Sequence, residues 1–381
     1  MRSIKPIGRM LVLLVCLWLA ACQSDQQATR QSGNTPSSAS TTTAPAATTA
    51  ATLTAPTAST DTASTKTAAT ATNVATTTPT LGPGMFVNPV VNRDFPDPDL
   101  LKVGDIYYVY ATNANGANVQ AARSQDLVHW EMLPDALPTL PSWAAPGNTW
   151  APEVTTTADG KSYVMYFAAA FAARNRQCIG VATGDKPEGP FQPQGKQPLI
   201  CQIEQGGDID PSSFADDDGT RYLLWKNDGN CCGGQTWIYI QKISNDGLTL
   251  EGEPTRLITA DQVWEGILVE APTLWKHDDK YYLFYSANDY LTPRYAVGYA
   301  VADSVLGPYR KAKKPLLASS VKNRVIGPGG QDIVLDKDGD PWIVYHSWEP
   351  GSIRGMNIDP LRWEGDVPVV QGPARVPEPV P

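Results

Sequence analysis

The sequence predicts an all-β fold, a five-bladed β-propeller, from a fivefold repeat, a β-rich strand in each repeat and the lack of any convincing amphipathic helix. The repeats are Gly104–Tyr110, Gly160–Tyr166, Gly219–Trp225, Asp278–Phe284 and Gly339–Tyr345. Each is a turn followed by a strand whose aromatics stand three residues apart, as Tyr107 and Tyr110 do. The lead aromatics Tyr107, Tyr163, Tyr222, Tyr281 and Trp342 are separated by 56, 59, 59 and 61 residues. Units of that length, made of tight turns with β-branched and aromatic runs, fit propeller blades. Gly189-Pro190-Phe191 and Gly307-Pro308-Tyr309 fall late in their units, where turns into outer strands belong. A β-sandwich would have to match the period five times by accident, and an α/β barrel would need helices that the pattern lacks.

Only part of the chain can belong to those blades. Arg2, Lys5 and Arg9 precede an apolar stretch, Met10 to Leu19, that is too short to span a bilayer stably. Residues 1–22 therefore read as a secretory signal. The stretch closes on Leu19-Ala20-Ala21-Cys22, which resembles a bacterial lipobox. That resemblance makes Cys22 a lipidated N-terminus, anchored to a membrane outside the cytoplasm; the alternative is an ordinary cleavage site beside a chance cysteine. Residues 23–84 are almost entirely Ser, Thr, Ala, Pro and Gln, with two acidic and two basic residues and no aromatic. Such a segment cannot offset its chain entropy by burial and is expected to be a disordered tether. As a flexible coil it would average roughly 40 Å end to end. Residues 85–381 are left as the folded domain, expected to be monomeric.

Loss of the leader removes three positive charges and takes the formal net charge from −9 to −12. So acidic a chain is a poor partner for nucleic acid or an anionic membrane surface, and suits a neutral polymer such as polysaccharide. Cys178, Cys201, Cys231 and Cys232 remain for an oxidising compartment, where an even number points to disulfides. Cys178 is expected to pair with Cys201, leaving adjacent Cys231 and Cys232 as a vicinal bridge or two thiols. The cysteine spacing fits no usual zinc pattern, and His129, His277 and His346 are the only histidines.

Upstream of each lead aromatic stands a side chain of one chemical kind. Asp97 lies 10 residues before Tyr107, Glu153 10 before Tyr163, Asp210 12 before Tyr222, Glu270 11 before Tyr281 and Gln331 11 before Trp342. The innermost strand of every blade lines the propeller axis, so equivalent positions should converge on one funnel. Any one of these residues can be explained as turn chemistry, since Asp97-Pro98 and Asp210-Pro211 are common turn starters. Four carboxylates together repel and desolvate one another, which is costly for purely structural ends and points to a functional acidic pocket.

These residues carry a resemblance to glycoside hydrolase family 43. Asn88-Pro89 with Phe95-Pro96-Asp97-Pro98, Trp150-Ala151-Pro152-Glu153, Ile209-Asp210-Pro211-Ser212, Glu270-Ala271-Pro272, and Gly327-Pro328-Gly329 with Tyr345-His346 resemble that family's five blade signatures in order, over about 86–370. The resemblance implies an inverting hydrolysis of arabinose- or xylose-containing plant polysaccharides. In it Asp97 is the general base, Glu270 the general acid, and Asp210 holds Glu270 in place and raises its pKa. Inversion calls for working carboxyls about 6.5–9.5 Å apart, which leaves room for water. Trp150, Glu153, Gln331, His346 and Arg354 are the expected substrate-binding residues, Arg354 because it resembles a substrate-contacting arginine late in that family's fifth blade. Trp150 is the candidate for stacking on a sugar face, while Arg354 could equally form a surface salt bridge. The family often carries His after Gly-Pro-Gly, tied to a channel metal. Gly330-Gln331 stands here instead, so no cofactor is expected and a structural calcium is weakly supported, although His346 could sit near one.

The chain ends about 40 residues after Trp342, with Ile358 to Leu361 and Trp363 expected to close the ring. The C-terminal β-sandwich of many xylosidases in that family is therefore expected to be absent. This favours an α-L-arabinofuranosidase or exo-arabinanase, with β-xylosidase and endo-arabinanase still open. A rival of another class is a non-catalytic glycan-binding lipoprotein, against which the full Asp97, Asp210 and Glu270 set argues.

Overall fold

A computed structural model describes residues 81–381. The signal segment, Cys22 and nearly all of the expected tether lie outside the described residues. Five four-stranded antiparallel sheets follow one another along the chain, each a simple meander. Blade I is Asp99–Val103, Ile106–Ala111, Gln120–Ser124 and Glu131–Met132. Blade II is Ala144–Thr156, Tyr163–Phe171, Arg176–Gly184 and Gln192–Gln194. Blade III is Asp208–Ala215, Arg221–Asn227, Trp237–Ile243 and Leu250–Thr259. Blade IV is Val269–His277, Lys280–Ala287, Ala296–Ala302 and Arg310–Lys311, and blade V is Gly329–Leu335, Pro341–Glu349, Ile353–Glu364 and Val367–Val370. The five-bladed propeller is thus the fold of the described chain. The repeats found in the sequence are the first hairpin of each blade, with the aromatics on its second strand. Gly189-Pro190 and Gly307-Pro308, both cis, lead into the outermost strands of blades II and IV.

A strand's alternation puts successive side chains on opposite faces, so each blade offers an apolar face to both neighbours. The core is accordingly divided among the seams. Tyr108 and Tyr110 of blade I pack with Val154, Met165 and Phe167 of blade II. Val164 and Tyr166 of blade II meet Leu223, Trp225 and Tyr239 of blade III. Leu224 and Ile240 of blade III meet Leu274, Leu283 and Tyr285 of blade IV. Tyr282 and Phe284 of blade IV meet Ile333 and Leu361 of blade V.

The ring closes between blades V and I. Phe86, Val91 and Phe95 wedge between Tyr107 and Val109 of blade I and Val344, Met356 and Ile358 of blade V. Met85–Phe86 pairs with Glu378–Pro379 in a separate two-stranded sheet. Asn88 makes the closure specific: its Nδ2 donates to Ile358 O at 2.7 Å, and Ile358 N–H donates to its Oδ1 at 2.9 Å. Of the residues expected to close the ring, Ile358 lies at this seam in the third strand of blade V, whereas Leu361 and Trp363 pack toward blade IV. The clasp itself is the segment ahead of blade I. Cys178 is bonded to Cys201, and Cys231 to Cys232.

Candidate active site

The register at the axis differs from the one counted in the sequence. Each blade has one left-handed residue where its first strand begins or bulges: Asp97, Ala151, Asp210, Ala271 and Gly330, all with φ between 41° and 56°. Proline follows in four blades and Gln331 in the fifth. Asp97 and Asp210 are therefore structurally equivalent. Glu270 stands one residue before that position and Glu153 two after it, level with Asp99, Ser212, Thr273 and Asp332. Two residues along a strand are about 6–7 Å, enough to place Glu153 at a lower level of the axis. The spacing to the lead aromatic missed this because the first hairpins turn over different lengths: strand pairing ends at Val103/Ile106 and His277/Lys280 in blades I and IV, but at Thr156/Tyr163, Ala215/Arg221 and Leu335/Pro341 in the others.

Two spaces result. The upper one is a pocket of about 450 Å³ whose wall includes Asp97, Asp210, Glu270, Trp150 and Arg354. Below it a constriction of about 40 Å³ is lined by the five left-handed residues and the two that follow each. Glu153 and Gln331 line this lower space and not the pocket, which corrects their expected place beside substrate. His346 does not line the pocket either. Its ring is 0% exposed, with Nδ1 3.1 Å from Asp97 N and 3.3 Å from Asp97 Oδ1.

The lower residues fasten neighbouring blades. Asp99 of blade I accepts from Val154 N of blade II, Glu153 of blade II from Ser213 N of blade III, and Asp332 of blade V from Leu100 N of blade I, each at 2.8 Å. Gln331 Nε2 donates to Ala271 O at 2.6 Å, and its Oε1 accepts from Ser286 Oγ at 2.8 Å. With Gln331 so committed, and no group of three or more His, Cys, Asp or Glu side chains among the described residues placed to hold a metal ion, these residues do not fit a channel metal. Four non-glycine residues hold this conformation in the other blades, so Gly330 is required by space: a Cβ would lie 2.6 Å from Asp97 Oδ1 and 2.7 Å from the His346 ring.

The upper carboxyls differ from one another in company. Thr112 Oγ1 donates to Asp97 Oδ2 at 2.7 Å, and Arg354 Nη1 lies 3.7 Å from the same oxygen. Burial works to raise the Asp97 pKa, but Arg354, His346 and Thr112 together outweigh it and hold the carboxyl well below its usual range. Arg354 is itself steadied over the rings of Tyr290 and Trp348, at 5.0 and 5.9 Å. Asp210 is pushed up to about 8 by burial and by the charge of Glu270, against the pull of Lys226. It accepts from Ala271 N at 2.9 Å, which fixes the backbone next to Glu270. Glu270 is 9% exposed and accepts from Lys226 Nζ at 2.9 Å.

Lys226, Asp228 and Thr112 were not among the expected site residues. By strand pairing, Lys226 opposite Ile209, Ser286 opposite Glu270 and His346 opposite Gly329 hold one position of the second strand. Thr112, whose N–H donates to Pro96 O, takes that place in blade I. A charged residue ending the apolar run Tyr222-Leu223-Leu224-Trp225 was the available signal.

The profile of glycosyl hydrolases family 43 matches residues 86–368. A β-D-galactofuranosidase of Aspergillus niger is 30% identical over 287 residues, 72% of this chain and 78% of that one. An extracellular exo-α-(1→5)-L-arabinofuranosidase of Cellvibrio japonicus is 27% identical over 72% of this chain and 85% of its own. The chain spans about half (49%) of a xylan 1,3-β-xylosidase of a Vibrio species, at 27% identity. Among solved structures, a thermostable family-43 glycoside hydrolase aligns with a TM-score of 0.71 at 34% identity, over 78% of this chain and 99% of that one. A match that takes in all five blades and the pocket at their axis means that this chain belongs to glycosyl hydrolases family 43, whose chemistry is the hydrolysis of glycosidic bonds.

Proposed function

We propose that the protein is an inverting glycoside hydrolase that releases arabinose from plant polysaccharides, with Asp97 as general base and Glu270 as general acid. The observation that carries this reading is the unequal treatment of the carboxyls on one pocket. Arg354, His346 and Thr112 keep Asp97 ionised, while burial and the charge of Glu270 raise the proton affinity of Asp210 beside it. Neighbouring carboxyls whose surroundings push their proton affinities apart are what acid–base division of labour requires. In the reaction, water attacks the anomeric carbon and passes a proton to Asp97. The glycosidic bond breaks as Glu270 gives its proton to the leaving oxygen, and the anomeric centre inverts. Asp210 is a positioning residue, acting through Ala271 N and through repulsion of Glu270. Trp150 supplies an apolar face on the pocket wall.

The preference for a furanoside is supported by two relatives matched over most of their own length, whose names denote cleavage of galactofuranosides and arabinofuranosides. The test is hydrolysis of nitrophenyl α-L-arabinofuranoside against nitrophenyl β-D-xylopyranoside, followed by proton NMR of the first sugar formed. Preferred turnover of the arabinofuranoside, with the released anomer opposite to the bound one, is expected. A retained anomer would mean a covalent intermediate and would remove Asp97 from the base role.

The extracytoplasmic setting and lipid anchor at Cys22 belong to the same proposal, supported by the lipobox resemblance and the extracellular Cellvibrio relative. Full-length protein made in a bacterium should fractionate with membranes. Cys22→Ala should release it or block its processing, and unchanged membrane association would defeat the anchor.

A further inference from the structure

Lys226 is 0% exposed, with Nζ 2.9 Å from Glu270 Oε2 and 3.5 Å from Asp228 Oδ1. A buried ammonium needs a carboxylate partner at every stage of a reaction, because an unpaired charge out of water costs several kcal/mol or more. On the reading above, Glu270 is neutral when substrate binds and charged once the leaving group has its proton. In the first of those states Lys226 would lose its nearer partner. Asp228, at the end of the same strand, is the second.

We propose that Lys226 and Asp228 form a charge bracket that positions Glu270 and sets how tightly it holds its proton. Asp228 holds the ammonium while Glu270 is protonated. As the proton leaves for the glycosidic oxygen, its electron pair stays on Glu270 and the ammonium pairs with the new carboxylate. Lys226 keeps its own three protons throughout. The inference rests on Glu270 being the general acid.

The other groups around Glu270 do not supply this charge. Asp210 faces it from blade III, with Asp97 beyond Asp210, and both are acidic. Tyr295 and His346 face it from blades IV and V. Burial pushes the Tyr295 hydroxyl well up and the His346 ring down, so both are neutral near pH 7. Arg354 is engaged with Asp97, and Arg176 and Asp208 face Asp228. Burial alone would strip Lys226 of its charge, but Glu270, Asp210 and Asp228 together hold its pKa above the ordinary lysine value.

The experiment is the pH profile of kcat/KM on an unactivated arabino-oligosaccharide, for which leaving-group protonation matters and the alkaline limb reports the acid of the free enzyme. Asp228→Asn leaves Lys226 to Glu270 alone and removes a like charge, so the limb should move down by about one pH unit or more. Lys226→Met should move it up by a similar amount, and Lys226→Arg should hold it near the wild-type position. Asp228→Asn changes little in shape and decides the matter even if Lys226→Met fails to fold. An Asp228→Asn limb that stays in place or moves up overturns the proposal. Glu270→Ala is run beside these variants: near wild-type turnover there would overturn the acid assignment itself, whereas loss of turnover with an unmoved Asp228→Asn limb overturns only the bracket.

Discussion

The pocket and the constriction beneath it draw carboxyls from the same inner strands, about one strand repeat apart, yet the two sets live in opposite surroundings. Above, Asp97 meets Arg354 and Glu270 meets Lys226, so each carboxyl assigned a proton transfer has a buried or half-buried cation beside it. Below, Asp99, Glu153 and Asp332 meet mainly backbone N–H groups and one another. Burial and the charge of Glu153 push Asp332 up to about 7, and burial with the same neighbour pushes Asp99 well up too. A carboxyl without a cation in a buried ring takes a proton and serves as a fastener; a cation beside a carboxyl keeps its ionised form within reach, which proton transfer requires. An acidic residue on a propeller axis is thus not a site residue by position alone. Its level and its partner decide.

The largest effect that can break this contrast lies in the pocket. Asp97→Ala and Glu270→Ala should each lower kcat by about 10²–10⁴-fold or more, with the thermal midpoint little changed. Their losses should then separate by substrate. Glu270→Ala should recover much of its rate on glycosides with an activated leaving group, which need little protonation, and Asp97→Ala should not. Near wild-type turnover by either variant would end the distinction between the two levels.

The smallest effect on activity belongs to the lower ring. Asn can keep the acceptor that Asp332 offers to Leu100 N–H, so Asp332→Asn should change kcat/KM less than about threefold. Its signature is in stability. A carboxyl raised in the folded state gives its full contribution below its ordinary value of 3.8 and loses it as pH climbs toward about 7. Thermal melts from pH 5 to 8 should show the Asn variant gaining on wild type as pH rises. A difference that is constant with pH, or a variant that loses ground, would show that Asp332 is ionised and that the two levels are alike.

Five blades were legible because their signals are local. Each first hairpin carries its turn residue and its aromatics within seven positions, and the period near 60 residues is a property of the chain alone. Asp97, Asp210 and Glu270 were legible for a related reason: each sits in a short motif at the mouth of a blade, and the fold brings those mouths together. The unequal hairpin turns were not legible, and with a two-residue strand period they decide which counted residue reaches which level. That is why Glu153 and Gln331, counted as equivalents of Asp97, lie in the constriction, while the His346 ring backs Asp97.

The sequence by itself determined the architecture and the identity of the carboxyls. Hairpin chemistry, strand alternation and the repeat are written in neighbouring residues, and they admit few other folds. Only the tertiary structure decided which carboxyl meets which cation. Lys226 finds Glu270 across 44 residues of chain and Arg354 finds Asp97 across the ring closure. In a buried space the proton goes where the nearest charge permits, and nearness there is set by how the blades pack.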